Sequence, residues 1–477
     1  MHCSLSLMLH IFSALAPVPG AFPLSRSRGH VVDVITALRS SRMGLARWCA
    51  VALCVLCNTI DGLDLMLMSY ALPHLPPGFA TGTQKGLLIS FGFLGMGLGA
   101  TLLAPLADRI GRKRMVMCGL LLSVLALAAT ALSPSVEWML IARLLAGAGA
   151  GTLTPVALTL GDEFSSAERR GLCVGLVAIG FAIGSTIGGL IGLFIITTFG
   201  GAWQALFWGG ALISAAVLVL ASALPESPAY LVIRETTEAR RRLGNVVSRL
   251  GLAGVDLAER PLAEPVATDA KVGVLSKSFR GRTLLLWLGY STAAAAWYFT
   301  TSWTPQLVST VSGSAERGTL MGTVLSMGSL GGGFVFVLLS TRVSSTAVVW
   351  ACTGVGAVAA GGFALTITGG GAVVAAAAIG VTMQAALSAY VASCARLYPT
   401  VIRTRAQGAL MGVSRVGTIL VPVVVGAVMA ALSAQTMYWM AAAVVLVSAV
   451  AGFTLWSRTR AIAEAPAGAG HPVREHV

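Results

Sequence analysis

The sequence predicts an all-α membrane protein of twelve transmembrane helices arranged as two six-helix bundles. Three observations carry that expectation. Apolar runs long enough to cross a bilayer recur along the whole chain; one hydrophilic stretch divides them six and six; basic residues gather in alternate connections. Of 477 residues, 56% are hydrophobic and only 10% charged. A soluble domain carries roughly 25% charged residues, so this chain lacks the charge to cover a wet surface. A run of about 20 apolar residues crosses the ~30 Å hydrocarbon core as a helix.

Read against their breakers, the first six spans are expected at about 47–72, 86–106, 115–132, 138–160, 171–195 and 203–224. The second six are expected at about 283–303, 318–340, 346–367, 371–393, 407–431 and 436–457. The domain division follows: an N-terminal tail (1–46), a first bundle (47–224), a central linker (225–281), a second bundle (282–460) and a C-terminal tail (461–477). Within the first tail, Leu5 to Ala16 has the apolar character of a signal-peptide core but no basic segment before it, so it reads as tail. Six spans, a polar linker and six more spans is the pattern of a duplicated bundle with a substrate path between its halves.

The net charge of +14 raises nucleic acid as a partner, and its distribution excludes that reading. Arg109, Arg112, Lys113, Arg114, Arg169, Arg170, the linker arginines, Arg342, Arg396, Arg403 and Arg405 fall on one side, whereas the other receives only Lys85 and Arg317. By the positive-inside rule both termini and the linker are cytoplasmic. The expected location is the cell inner membrane, with the lipid bilayer as the surrounding partner and a monomer as the functional unit. Cys54 and Cys57 form a CxxC, but inside a span and without a second pair or clustered histidines, so small packing residues are the expected reading and no metal or cofactor is assigned. Glycines spaced by four (Gly95 and Gly99, Gly147 and Gly151, Gly180, Gly184 and Gly188) allow close helix contact.

Ionisable groups inside the spans are costly, about 2.5–3.5 kcal/mol each on insertion scales, and so point to function. Asp61 and Asp64 stand three apart in "TIDGLDLMLM" and share one side of a helix. Two nearby carboxylates in a low-dielectric site resist ionising together, so either can serve as a proton carrier; the alternative is a polar pair satisfied by backbone and Arg143. Arg143 stays charged and needs an anion: Asp61, Asp64 or a substrate carboxylate. Arg415 poses the same question in the second half, where no intramembrane acid answers it. It either grips a substrate carboxylate with two parallel hydrogen bonds or snorkels to the cytoplasmic end. In the aromatic seventh span, Tyr290 and Trp297 are placed to stack on a planar ring, and Trp303 is expected as an anchor at the outer interface. Gln384 and Ser388, one turn apart, face either the cavity or a neighbouring helix.

The loop "LADRIGRKR" (Leu106 to Arg114) closely resembles the signature G-x-L-A-D-R-x-G-R-R/K-R/K of the major facilitator superfamily, with Ala104 in place of the first glycine. Asp108, Arg109, Gly111 and Arg112 are its matching positions, with Asp108 expected to reach a helix N-terminus or an arginine across the interface. "PESPAYL" (Pro225 to Leu231) and the segment Arg143 to Gly171 agree with the same superfamily. Within it, "DGLD", "TSWTPQL" (Thr301 to Leu307), "RLYPTVIRTRAQG" and "GVSRVG" (Arg396 to Gly417) resemble the aromatic acid:H+ symporter family. The resemblance implies the major facilitator fold, uptake of benzoate-like or hydroxylated aromatic carboxylates with protons, and transport roles for Asp61, Asp64, Arg143, Arg403 and Arg415. One departure stands out: the second-half copy of the loop is eroded to "STRVSS" (Ser340 to Ser345), with Thr341 in place of the acid.

Other readings are a sugar or other organic-acid porter, a proton-coupled exporter of an organic cation or drug, and a solute sensor on a carrier fold. No Q-Q-x-x-G run appears in the seventh span and no Gly-Pro pair in the fifth, which weakens the first two. An enzyme is not expected, because no nucleophile–base or metal constellation appears.

Overall fold

The computed structural model describes residues 36–464 apart from 201, 235, 251–273 and 278. The expected C-terminal tail lies almost wholly outside the described residues, as does most of the N-terminal tail, including Leu5 to Ala16. Among the described residues twelve long helices follow one another. In the first half they are α1 (Leu45–Ala71), α2 (Gly82–Ile110, interrupted after Leu98), α3 (Arg112–Ala131), α4 (Val136–Glu163), α5 (Arg170–Thr198) and α6 (Trp203–Ala221). In the second half they are α7 (Arg280–Ser312), α8 (Ala315–Ser340), α9 (Ser345–Thr366), α10 (Gly371–Leu397), α11 (Thr400–Val428) and α12 (Ala434–Glu464). Two shorter helices, Pro228–Ile233 and Thr237–Arg249, occupy the described part of the linker.

Local chemistry sets the ends. Thr81 caps α2 through a reciprocal capping box with Gln84, and Ser135, Ser314 and Ser344 accept the first backbone N–H groups of α4, α8 and α9. Gly111, at φ 110°, makes the turn between α2 and α3 that an L side chain resists. Large apolar side chains point outward, including Leu212, Val219, Leu338, Val358 and Val374, each at least 70% exposed. Such exposure suits lipid and not water. Among the described residues, eleven helices are long and apolar enough to cross a bilayer. The other is α7, diluted by its threonines, serines and tyrosines.

The packing repeats with a shift of six helices. α1 packs on α4, α5 and α6 as α7 packs on α10, α11 and α12; α2 and α3 pack on α4 as α8 and α9 pack on α10. The bundles meet through α2 against α11, α5 against α8 and α1 against α7. Two of these are the same contact under the repeat, and the third is its own mate.

The halves are closed together on the side away from the linker. Ser90 Oγ donates to the Ile419 carbonyl (2.7 Å), Thr186 Oγ1 to the Ser326 carbonyl (3.1 Å) and Lys85 Nζ to Gln306 Oε1 (3.3 Å). A Cβ on Gly86 would stand 2.3 Å from the Pro422 carbonyl oxygen, and one on Gly426 2.3 Å from that of Gly82. Toward the linker the corresponding surfaces separate, and positions 408 and 412 of α11 face open space.

Two expectations change. The seventh helix does not stop before Pro305 but runs to Ser312, so Trp303 lies inside the helix and is fully buried, not anchored at an interface. A proline in a helix forfeits one hydrogen bond, and here α8 packs directly against that turn through Gly318 and Gly322. The helices also outrun their apolar runs, α12 by several residues at its C-terminus, because polar ends remain helical beyond the hydrocarbon. Replacing Gly86 with Val should hold α2 and α11 apart on the far side. In a variant otherwise free of cysteine, labelling of Ser90→Cys by an impermeant maleimide should then rise several-fold from that side.

Candidate functional site

The membrane interior holds an ion pair and a cavity, and the two first-span acids divide between them. Asp64 accepts two parallel bonds from Arg143, Nη1 to Oδ1 at 2.7 Å and Nη2 to Oδ2 at 2.8 Å, with both residues at most 4% exposed. This fork geometry is the strong form of a carboxylate–guanidinium contact. The Arg143 guanidinium also lies over the Phe207 ring at 5.9 Å. Gly92 and Gly147 bring α2 and α4 close enough to enclose the pair.

Asp61 takes the other direction. It lines a cavity of about 300 Å3 between the halves, together with Asn58, Thr154, Phe181, Tyr290, Trp297, Tyr298, Gln384, Ser388, Ser414 and Arg415. Thr154 Oγ1 sits 2.8 Å from Asp61 Oδ2 and 2.7 Å from Asn58 Oδ1, and Asn58 Nδ2 donates to the Val177 carbonyl at 2.8 Å. Asp61 Oδ1 is buried and has no hydrogen-bond partner among the described residues. Close approach of α1 and α5 builds this corner: a Cβ on Gly62 would meet the Phe181 carbonyl at 2.0 Å, and one on Gly184 the Thr59 carbonyl at 1.9 Å.

The second half supplies the opposite wall. Arg415 is half-buried and lines the cavity, not the helix end, so it does not snorkel out of reach. Tyr290, Trp297 and Tyr298 give α7 an aromatic flank, and Phe93 of α2 meets Tyr298 edge-on at 4.7 Å between ring centroids. Gln384 and Ser388 both reach the cavity, while Gln384 Oε1 also accepts from Ser329 Oγ at 3.4 Å, so the cavity and helix-contact readings hold together. Arg143 does not line the cavity. Its terminal nitrogens are taken by Asp64.

The loop residues form a separate cluster at the linker side. Arg112 is ion-paired with Glu163 at the end of α4 and donates to Ser227 Oγ at 2.8 Å, and the Lys113 backbone N–H donates to Glu226 at 2.9 Å. Asp108 is 73% exposed and pairs with Arg112 in its own loop at 3.2 Å, in place of a partner across the interface. The Arg109 side chain is exposed, and its carbonyl accepts from Tyr230 and Arg234 of the linker. A Cβ on Gly111 would meet Glu226 at 2.6 Å. Arg403 is half-buried near the start of α11 and outside the cavity lining.

Sequence reading missed Asn58 and Thr154. Asn58 was findable, lying one turn before Asp61 on an otherwise apolar helix. Thr154 carries no such signal, because threonines commonly bond their own helix.

A sequence profile of the Major Facilitator Superfamily matches residues 54–379. The 4-hydroxybenzoate transporter PcaK of Pseudomonas aeruginosa is 31% identical over 82% of this chain and 88% of its own length. The gallate transporter of Pseudomonas putida is 27% identical over 83% of this chain and 89% of its own. Among solved structures, the xylose transporter XylE from E. coli, in a partially occluded inward-open conformation, superposes with a TM-score of 0.67 at 15% identity, covering 87% of this chain and 98% of that one.

Removing one partner of a buried ion pair strands the other charge, at roughly 3–5 kcal/mol. Asp64→Asn or Arg143→Gln alone should lower the thermal midpoint of the detergent-solubilised protein sharply. The double substitution Asp64→Leu with Arg143→Met should recover most of the loss.

Proposed function

Since the chain belongs to the Major Facilitator Superfamily and is a multi-pass transport protein, we propose that it imports an aromatic carboxylate together with protons, by alternating access across the inner membrane. The observation that carries this reading is the pairing of one cationic and one proton-accepting group across a single aromatic-walled cavity: Arg415 on α11 and Asp61 on α1. The substrate carboxylate binds the Arg415 guanidinium, the only side-chain cation of that lining. Its ring lies against Tyr290, Trp297 and Tyr298, and Gln384 and Ser388 offer hydrogen bonds to ring substituents. A cavity of about 300 Å3 suits a one-ring acid.

The relatives support the class. One is named for 4-hydroxybenzoate and the other for gallate, both benzoic acids with ring hydroxyls. Asp64 and Arg143 carry a structural role in this reading, and proton transfer falls to Asp61. The linker side, rich in arginine, is assigned to the cytoplasm, so the structure is an inward-facing state. Alternation then consists of opening the α2–α11 and α5–α8 seams on the far side and closing them toward the linker. The cluster of Gly111, Arg112, Glu163, Glu226 and Ser227, with Asp108 and Arg109 beside it, moves as part of the first half, and Arg403 travels with α11.

In proteoliposomes, an imposed inward proton gradient should drive accumulation of labelled 4-hydroxybenzoate above its external concentration. Asp61→Asn should abolish that accumulation yet retain exchange of internal for external substrate. Arg415→Gln should weaken uptake at least about tenfold, the loss of a charged hydrogen bond. Gradient-driven accumulation by Asp61→Asn would remove Asp61 from the coupling role.

A further inference from the structure

The polar chain beside Asp61 has a direction. Asn58 Nδ2 donates to the Val177 carbonyl at 2.8 Å, which fixes the carboxamide, because turning it over would set oxygen against oxygen. Asn58 Oδ1 therefore faces Thr154 Oγ1, 2.7 Å away, and must receive a proton from it. A threonine hydroxyl has one proton to give. With that proton committed to Asn58, Thr154 presents a lone pair to Asp61 Oδ2 at 2.8 Å. Two bare oxygens at that distance repel, and the contact becomes a hydrogen bond only when Asp61 brings the hydrogen. The second carboxyl oxygen, Oδ1, is buried without a partner. That is tolerable for the carbonyl oxygen of a neutral acid and costly for a carboxylate.

We propose that Asn58 and Thr154 are positioning residues that bias Asp61 toward its protonated form in the inward-facing state, against the charge of Arg415, through the one-way chain Asp61 O–H to Thr154 O–H to Asn58 Oδ1. The proposal rests on the transport reading above and deepens it by separating the two acids of the first span. The other charged or titratable groups around Asp61 are Asp64 on its own helix, Arg143 on α4, Arg415 on α11, and Tyr290 and Tyr298 on α7; α5 contributes the Val177 carbonyl. Arg143 is cancelled by Asp64. Arg415 is the opposing influence, since its charge favours an ionised Asp61. A substrate carboxylate bound to Arg415 cancels that charge and leaves the Thr154–Asn58 chain to decide, so anion and proton bind together.

The test uses the intact protein in lipid nanodiscs and reads Asp61 directly. The infrared C=O stretch of a protonated carboxyl that is missing from Asp61→Asn identifies the residue, and its amplitude is followed against pH beside the pH profile of uptake. Asn58→Leu frees the Thr154 proton for the Asp61 carboxylate, and Thr154→Val deletes the acceptor that the neutral acid needs. Each should make protonation of Asp61 require about tenfold more protons, one pH unit, whereas Thr154→Ser, which keeps the hydroxyl, should retain the wild-type midpoint. If Asn58→Leu does not fold, Thr154→Val against Thr154→Ser gives the same reading. An unchanged midpoint in Asn58→Leu or Thr154→Val overturns the proposal, as does an equal shift in Thr154→Ser. A band that titrates and shifts as stated, in a protein that accumulates no aromatic acid, upholds the chain and refutes the substrate reading instead.

Discussion

A guanidinium buried in the bilayer has to be matched by a carboxylate, and Arg143 takes Asp64 as its match. The other features of the site follow from that pairing. With both terminal nitrogens bonded to Asp64, Arg143 stays out of the lining of the cavity. With Asp64 committed, Asp61 is the first-span acid that faces the cavity between the bundles. Three residues of spacing put both acids on one side of α1, and yet their neighbours differ: Asp64 looks toward α2 and α4, and Asp61 toward Thr154, α5 and the second half. Similar carboxylates thus acquire different duties from surroundings alone.

The second constraint is the repeat. Because the two halves pack alike, the seams between them come as a related pair, α2 against α11 and α5 against α8. Glycine at 82, 86 and 426 lets α2 and α11 meet backbone to backbone on the far side, with the Met429 side chain laid against Gly82. The linker-side devices are not symmetric. In the first half the loop after α2 is clamped by Arg112 to Glu163 and Ser227 and by Lys113 to Glu226. In the second half the corresponding turn, Ser340 to Ser345, has Thr341 at the position of Asp108, and Arg342 is exposed. Among the described residues the charged clamp is found in the first half.

The helices and their grouping were legible because the bilayer imposes a length and an apolarity that no soluble fold requires, and α1 through α6 fall where their apolar runs do. The seventh helix shows the limit. Trp303 followed by Pro305 reads as an interfacial end, but the helix continues because α8 packs against the proline turn. As lining of the cavity, Asp61, Arg415, Gln384 and Ser388 were legible from polarity inside apolar helices, and Tyr290 and Trp297 from the aromatic run of the seventh span. Which acid meets Arg143 was not, since α1 and α4 are placed by glycine contacts that each makes with a different helix, α1 with α5 and α4 with α2. The same limit hid Thr154, whose meaning depends on Asn58 and Val177 coming to it from two other helices.

The central claim is that a carboxylate on Arg415 and a proton on Asp61 occupy one cavity and favour each other's binding. The most direct measurement adds 4-hydroxybenzoate to the purified protein in weakly buffered detergent solution near neutral pH and records the change in free proton concentration. The account predicts that binding takes up protons from solution, and that Asp61→Asn abolishes this uptake while substrate still binds. Substrate binding with no proton uptake, or uptake that persists undiminished in Asp61→Asn, would contradict it.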